Sequence, residues 1–159
     1  MPAPRLRRAW VAAPALLLAG CAVQVSVPAA PNAADPQCAA VVLALPDELA
    51  GLPRLRTGSQ ATVAWGDPAD PVVLRCGVTP PGPTTDRCVT ADDGTTSIDW
   101  LAVPAVDGDA PTPWRFTTYG RSPAVEVLVP ASITSTRSTS FLLDLGPAVA
   151  QVEQTRTCL

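Results

Sequence analysis

The chain has 159 residues, with 11 basic against 14 acidic side chains, no histidine, 19 prolines and five cysteines, which is the length of one domain. Every basic residue is arginine and three of them, Arg5, Arg7 and Arg8, lie in the first eight positions, so the remainder is acidic and lacks the basic face with which a nucleic-acid binder displaces counterions. The absence of histidine removes the commonest metal ligand and the usual near-neutral general base together.

The first elements in the chain read as an address. Residues 1–8 are basic, Ala9 to Gly20 are apolar, and Leu18-Ala19-Gly20-Cys21 closes the run with small residues before a cysteine; this is the three-part layout of an export signal. The apolar stretch spans about 18 Å as a helix, too short for a permanent crossing of roughly 30 Å of hydrocarbon. Leu-Ala-Gly-Cys resembles the lipobox of bacterial lipoproteins, which implies a signal peptide over residues 1–20. The same resemblance implies a diacylglyceryl group on the Cys21 thiol and a mature chain that begins there. Two or more acyl chains bury enough methylenes for durable attachment, so the expected location is the outer face of the cell membrane. Residues 21–36 carry one charge and three prolines and read as a linker, long enough when extended to lift the folded part roughly 45 Å from the surface.

The remaining residues, 37–159, read as one α+β domain. Asp35-Pro36 supplies an N-cap and a first-turn proline, and Cys38, Val41, Val42 and Leu45 follow at helical spacing until Pro46 stops or kinks the helix. Five strands are predicted next: residues 60–65, 72–78, 97–102, 114–119 and 124–129. Turns at Gly66-Asp67-Pro68, Asp92-Asp93-Gly94, Asp107-Gly108-Asp109 and Gly120-Arg121-Ser122-Pro123 separate most of them. From Ser138 onward Phe141, Leu142, Leu145, Val149 and Val152 recur at helical spacing, with a kink at Gly146-Pro147. The short connections predict a mainly antiparallel sheet of about five strands, with the N- and C-terminal helices packed on one face.

Cys38, Cys76, Cys88 and Cys158 form an even set behind an export signal, so two structural disulfides are expected. No C-x-x-C spacing and no histidine support a metal or redox site. Of the three connectivities, Cys76 with Cys88 and Cys38 with Cys158 is favoured, closing a short proline-rich loop and clipping the two ends of the domain.

The motifs Ala64-Trp65-Gly66-Asp67-Pro68, Leu74-Arg75-Cys76-Gly77-Val78, Asp99-Trp100 and Thr118-Tyr119-Gly120-Arg121-Ser122-Pro123-Ala124-Val125-Glu126-Val127, together with Cys38 and Cys88, occur in that order over residues 35–158. In this series the chain resembles the actinobacterial lipoprotein family catalogued as domain of unknown function 3515. The resemblance implies a small exported protein of the cell envelope and carries no catalytic residue or substrate with it.

The candidate ligand-binding residues are Arg75, Arg121, Trp65, Trp100 and Tyr119, because guanidinium forks beside aromatic faces can hold the carboxylate or phosphate of an envelope component. The competing and favoured reading pairs Arg75 with Asp99 or Glu126 and places both tryptophans in the core. A serine nucleophile has no base here except a carboxylate, and Asp67 with Asp99 or Glu126 is only formally a hydrolase pair. Asp92-Asp93-Gly94 and Asp107-Gly108-Asp109 lack the ligand spacing of a calcium loop. The functional expectation is a lipid-anchored, non-catalytic binding or accessory module that holds an envelope protein, with a binder of a small anionic or cell-wall ligand as the alternative. Neither a cofactor, a metal nor a nucleic-acid partner is expected.

Overall fold

The computed structural model describes residues 24–106 and 112–158. The export segment, Cys21 and the Asp107-Gly108-Asp109 turn lie outside the described residues. Nine strands occur in chain order: β1 (Gln24–Val25), β2 (Glu48–Leu49), β3 (Leu52–Thr57), β4 (Thr62–Trp65), β5 (Val72–Val78), β6 (Cys88–Asp92), β7 (Ser97–Pro104), β8 (Trp114–Thr118) and β9 (Ala124–Val129). They form one sheet in the order β1-β3-β4-β5-β9-β8-β7-β6, with β2 also paired to β3. The β1 to β3 pairing is parallel and every other pairing is antiparallel.

All five predicted strands are present as β4, β5, β7, β8 and β9, but the sheet has nine strands rather than about five. The additional strands are β1, β2, β3 and β6. Pro53 hides β3, since proline argues against a strand. The hairpin joining β2 to β3 turns on Ala50 and Gly51, both with positive φ, a two-residue turn that usually announces itself with Asn-Gly or Gly-Gly.

Helix α1 (Pro36–Ala44) begins as expected: the Asp35 carboxylate accepts from the Gln37 N–H at 2.9 Å, and proline occupies the first turn, where its missing donor costs nothing. It ends at Leu45, whose extended backbone (ψ 142°) is what a residue before proline adopts. The Arg54 guanidinium donates to the Val42 and Leu45 carbonyls at 3.2 and 3.1 Å, satisfying acceptors that the helix end leaves open. The C-terminal helix is not one kinked element but two single turns, α3 (Phe141–Asp144) and α4 (Gly146–Val149), preceded by a third short turn, α2 (Ala131–Thr134). Pro147 lacks the N–H that would continue the ladder, and Gly146 is a poor helix former. Among the described residues no helix is long and apolar enough to cross a membrane.

The short helices cover one face of the sheet. Val63, Trp65, Leu74, Ile98, Phe116 and Val127 on that face pack with Val41 and Leu45 of α1 and with Phe141, Leu142, Leu145 and Val149 of the C-terminal segment in a single core. The alternate residues of the same strands, among them Val73, Arg75, Glu126 and Leu128, point to the opposite face.

That second face is crossed by both ends of the described chain. Val25 and Val27 are buried against Ala64, with Leu55 and Val73 beside them, while Ala30 is buried with Val78 and Ala124. Residues 24–33 are therefore part of the folded body and not a free linker: alternate small apolar side chains find a matching apolar stripe on β4, β5 and β9. At the other end the chain passes from the helical face, where Val152 is fully buried, to the second face, where the Cys158 N–H donates to Asp99 at 2.9 Å.

Two disulfides are formed, but with the pairing Cys38 to Cys76 and Cys88 to Cys158. The favoured Cys76 to Cys88 bridge is excluded by the register. Cys76 lies on the helical face in line with Leu74, Cys88 pairs with Leu101 on the opposite face, and three strands separate β5 from β6. One bridge staples α1 to β5 and the other ties the C-terminal tail to β6.

Candidate ligand-binding cleft

The five candidate residues do not meet in one place. Trp65 and Trp100 are fully buried on the helical face; the Trp65 indole donates to the Pro46 carbonyl at 3.1 Å, and the Trp100 Nε1 has no partner among the described residues. Arg75 lies on the other face, opposite Glu126 on β9, with Nη2 at 2.6 Å from Oε1. Arg115 approaches the same carboxylate at 3.4 Å. Tyr119 lies under the Arg156 guanidinium, 5.8 Å from its centre. Period-two alternation sends tryptophans and Arg75 to opposite faces.

Arg121 is buried at the end of the sheet, where it donates to the Val152 carbonyl and to Gln154 Oε1. Burial pushes its guanidinium below the usual range, and the nearby Asp99 carboxylate opposes that shift. Asp99 is itself buried and accepts from Thr90, Gln154 and the Cys158 N–H. This cluster is a clasp for the C-terminal tail. Of the remaining carboxylates, Asp67 accepts from the Ala69 N–H in its turn. Cys88, Cys158 and Asp99 converge, but the two sulfurs are joined to each other and are not free thiolates for a metal.

A different group of residues forms a concave site. On the helical face, the register places Ala102, Phe116 and Val127 in one row across β7, β8 and β9, and Arg87, which directly precedes β6, extends that row. The Ala102 N–H donates to the Arg87 carbonyl at 2.8 Å, which fixes that row. Alanine between an arginine and a phenylalanine leaves the row hollow at its middle. The segment from α2 to α3 passes over this hollow without filling it, leaving a cavity of about 260 Å³.

Its walls are Val89, Ala102, Trp114, Phe116 and Phe141, and its mouth carries Arg87, Arg137, Thr134 and Thr139. Phe116 meets Trp114 in an offset stack with centroids 6.4 Å apart and Phe141 edge-on at 6.2 Å, the two geometries the ring quadrupoles favour. Trp114 is half-buried and both arginines are exposed. Arg137 is held in place by a hydrogen bond to the carbonyl of Ala50. Among the described lining residues the only charges are these two positive ones. Sequence reasoning missed the cleft because its residues carry no motif: the signal is one small residue on the buried register of β7, visible only when the strand pairing is known.

Together these features define a small disulfide-braced α+β domain with a strapped, mainly antiparallel sheet and an arginine-rimmed apolar cleft. The chain belongs to the DUF3515 family, described as protein of unknown function, whose model matches residues 2–158. Neither the comparison with curated proteins nor that with solved structures returned a match.

Proposed function

We propose that this protein is an exported, lipid-anchored and non-catalytic binding module of the cell envelope, and that the aromatic cleft is where it binds. The observation that carries the binding role is the cleft itself: a preformed apolar hollow with a few polar groups at its rim is the usual form of a ligand site. The cleft favours a small ligand over the envelope protein expected from sequence. Its described lining supplies no carboxylate, thiol or imidazole to act on what it holds, which supports binding over turnover. Export is supported by the two disulfides, which persist in oxidising compartments, and by the lipobox-like Leu18-Ala19-Gly20-Cys21.

Two measurements test this reading. In cells fed an alkyne-bearing palmitate analogue, the protein is expected to take the label and to sediment with membranes, and Cys21→Ala is expected to lose both properties. An unlabelled chain that stays in the cytoplasm would sink the placement. Native mass spectrometry of protein recovered from envelope extract is expected to show a small-molecule adduct on the wild type that is lost in Ala102→Leu, which fills the hollow. An identical spectrum from both proteins denies the cleft its role.

A further inference from the structure

We infer that the cleft takes a single-tailed anionic amphiphile, an apolar body of modest size that ends in one carboxylate or phosphate. The inference rests on the cleft being the binding site and names the chemistry that site selects. Three observations converge on this class.

The interior is lined by hydrocarbon and aromatic faces, so it offers dispersion and the release of water to an apolar group, whereas the polar atoms of a peptide backbone would go unpaired there. Its volume of about 260 Å³ equals about nine waters at liquid density, which sets the enclosed body at about ten carbon-sized atoms. The rim reverses the chemistry within one side-chain length. Arg87 and Arg137 both stand at the mouth with Thr139 beside them, a set that favours an oxyanion and repels a cation.

The arginines are supplied independently. Arg87 is fixed by the row through Ala102, and Arg137 comes from the segment after α2, anchored to the Ala50 carbonyl in the β2 to β3 turn. A guanidinium has five donors, so that anchor leaves Arg137 with others free for a ligand while limiting the entropy lost on binding.

The test is calorimetric titration of the folded, soluble Cys21→Ala protein with decanoate, decyl phosphate, 1-decanol and decyltrimethylammonium, each below its micelle concentration. Saturable binding of decanoate, decyl phosphate or both is expected, about tenfold or more tighter than the alcohol and the cation. The ratio of the two anions tells a carboxylate site from a phosphate site. Arg87→Gln is expected to cost the anions about tenfold while leaving decanol unchanged, and added salt is expected to weaken the anions alone. Should Arg87→Gln fail to fold, the salt series on the unaltered protein decides the same question. Binding as tight for the cation or the alcohol as for the anions overturns the inference, and so does no binding of either anion at about 1 mM. Ala102→Leu separates the two levels of failure. If it abolishes binding that is blind to charge, the ligand class is wrong and the cleft stands; if tight anion binding survives it, the site is elsewhere and both fall.

Discussion

Asp93 shows how much a single side chain settles in this protein. It sits in the turn between β6 and β7, where its carboxylate accepts the backbone N–H of Thr96 at 2.7 Å and of Thr95 at 2.8 Å. These bonds, led by that from Thr96, hold its carboxyl below the ordinary value of 3.8. Because the folded value is depressed, the turn is supported at any pH above the unfolded value and loses that support as pH falls through the folded one. A carbon-detected titration of the side-chain carboxyls is expected to give Asp93 a midpoint below that of an unfolded aspartate. Asp93→Ala is expected to flatten the acid limb of the stability curve, and a midpoint at or above the unfolded value would show that the two bonds do not form in solution. At the same scale, Arg75 was legible in part: its pairing with Glu126 was one of two partners expected from sequence. The burial of Trp65 and Trp100 follows the same favoured reading, whereas the role of Arg121 as a clasp depends on a tail 31 residues away.

At the scale of elements, the strap formed by residues 24–33 depends on Gly77. That glycine has φ +95°, and a Cβ on it would run into the Asn32 carbonyl and the Ala33 nitrogen. Its own carbonyl accepts the Asn32 N–H at 2.9 Å. Gly77→Ala is expected to destabilise the fold by on the order of 2 kcal/mol and to speed amide exchange over residues 24–33 before the sheet is affected. Unchanged exchange there would mean that the strap is held elsewhere. The strands with strong β-branched alternation, such as β9 with Val125, Val127 and Val129, were legible, as was the capped start of α1. The strap was not, because its prolines and alanines have linker composition and its burial exists only against a stripe contributed by three distant strands. The same holds for β6, whose partner rather than its own residues makes it a strand. The helices after Ser138 were over-read: their apolar spacing is real, and Phe141, Leu145 and Val149 are buried, but Gly146-Pro147 divides what periodicity joined.

At the scale of the molecule, the disulfides are large beside the margin by which a domain is stable. They close loops of 38 and 70 residues, each worth about 4 kcal/mol on the loop-entropy account, against a net stability for a domain of about 5–15 kcal/mol. Removing one bridge by Cys38→Ala with Cys76→Ala is expected to lower the denaturation midpoint with the sheet retained. Thiol reduction of both is expected to unfold the chain, as followed by far-ultraviolet circular dichroism. A fully reduced protein with an unchanged spectrum would show that the core suffices. The strap has a further consequence for geometry. With an anchor at Cys21, the tether ends only three positions later at Gln24, a reach of about 10 Å, in place of the roughly 45 Å that a free segment would allow. Strand β1 is at one end of the strand order, and the hollow lies on β6, β7 and β8 at the other. A lipid on Cys21 would therefore hold the folded body close against the headgroups instead of suspending it on a spacer.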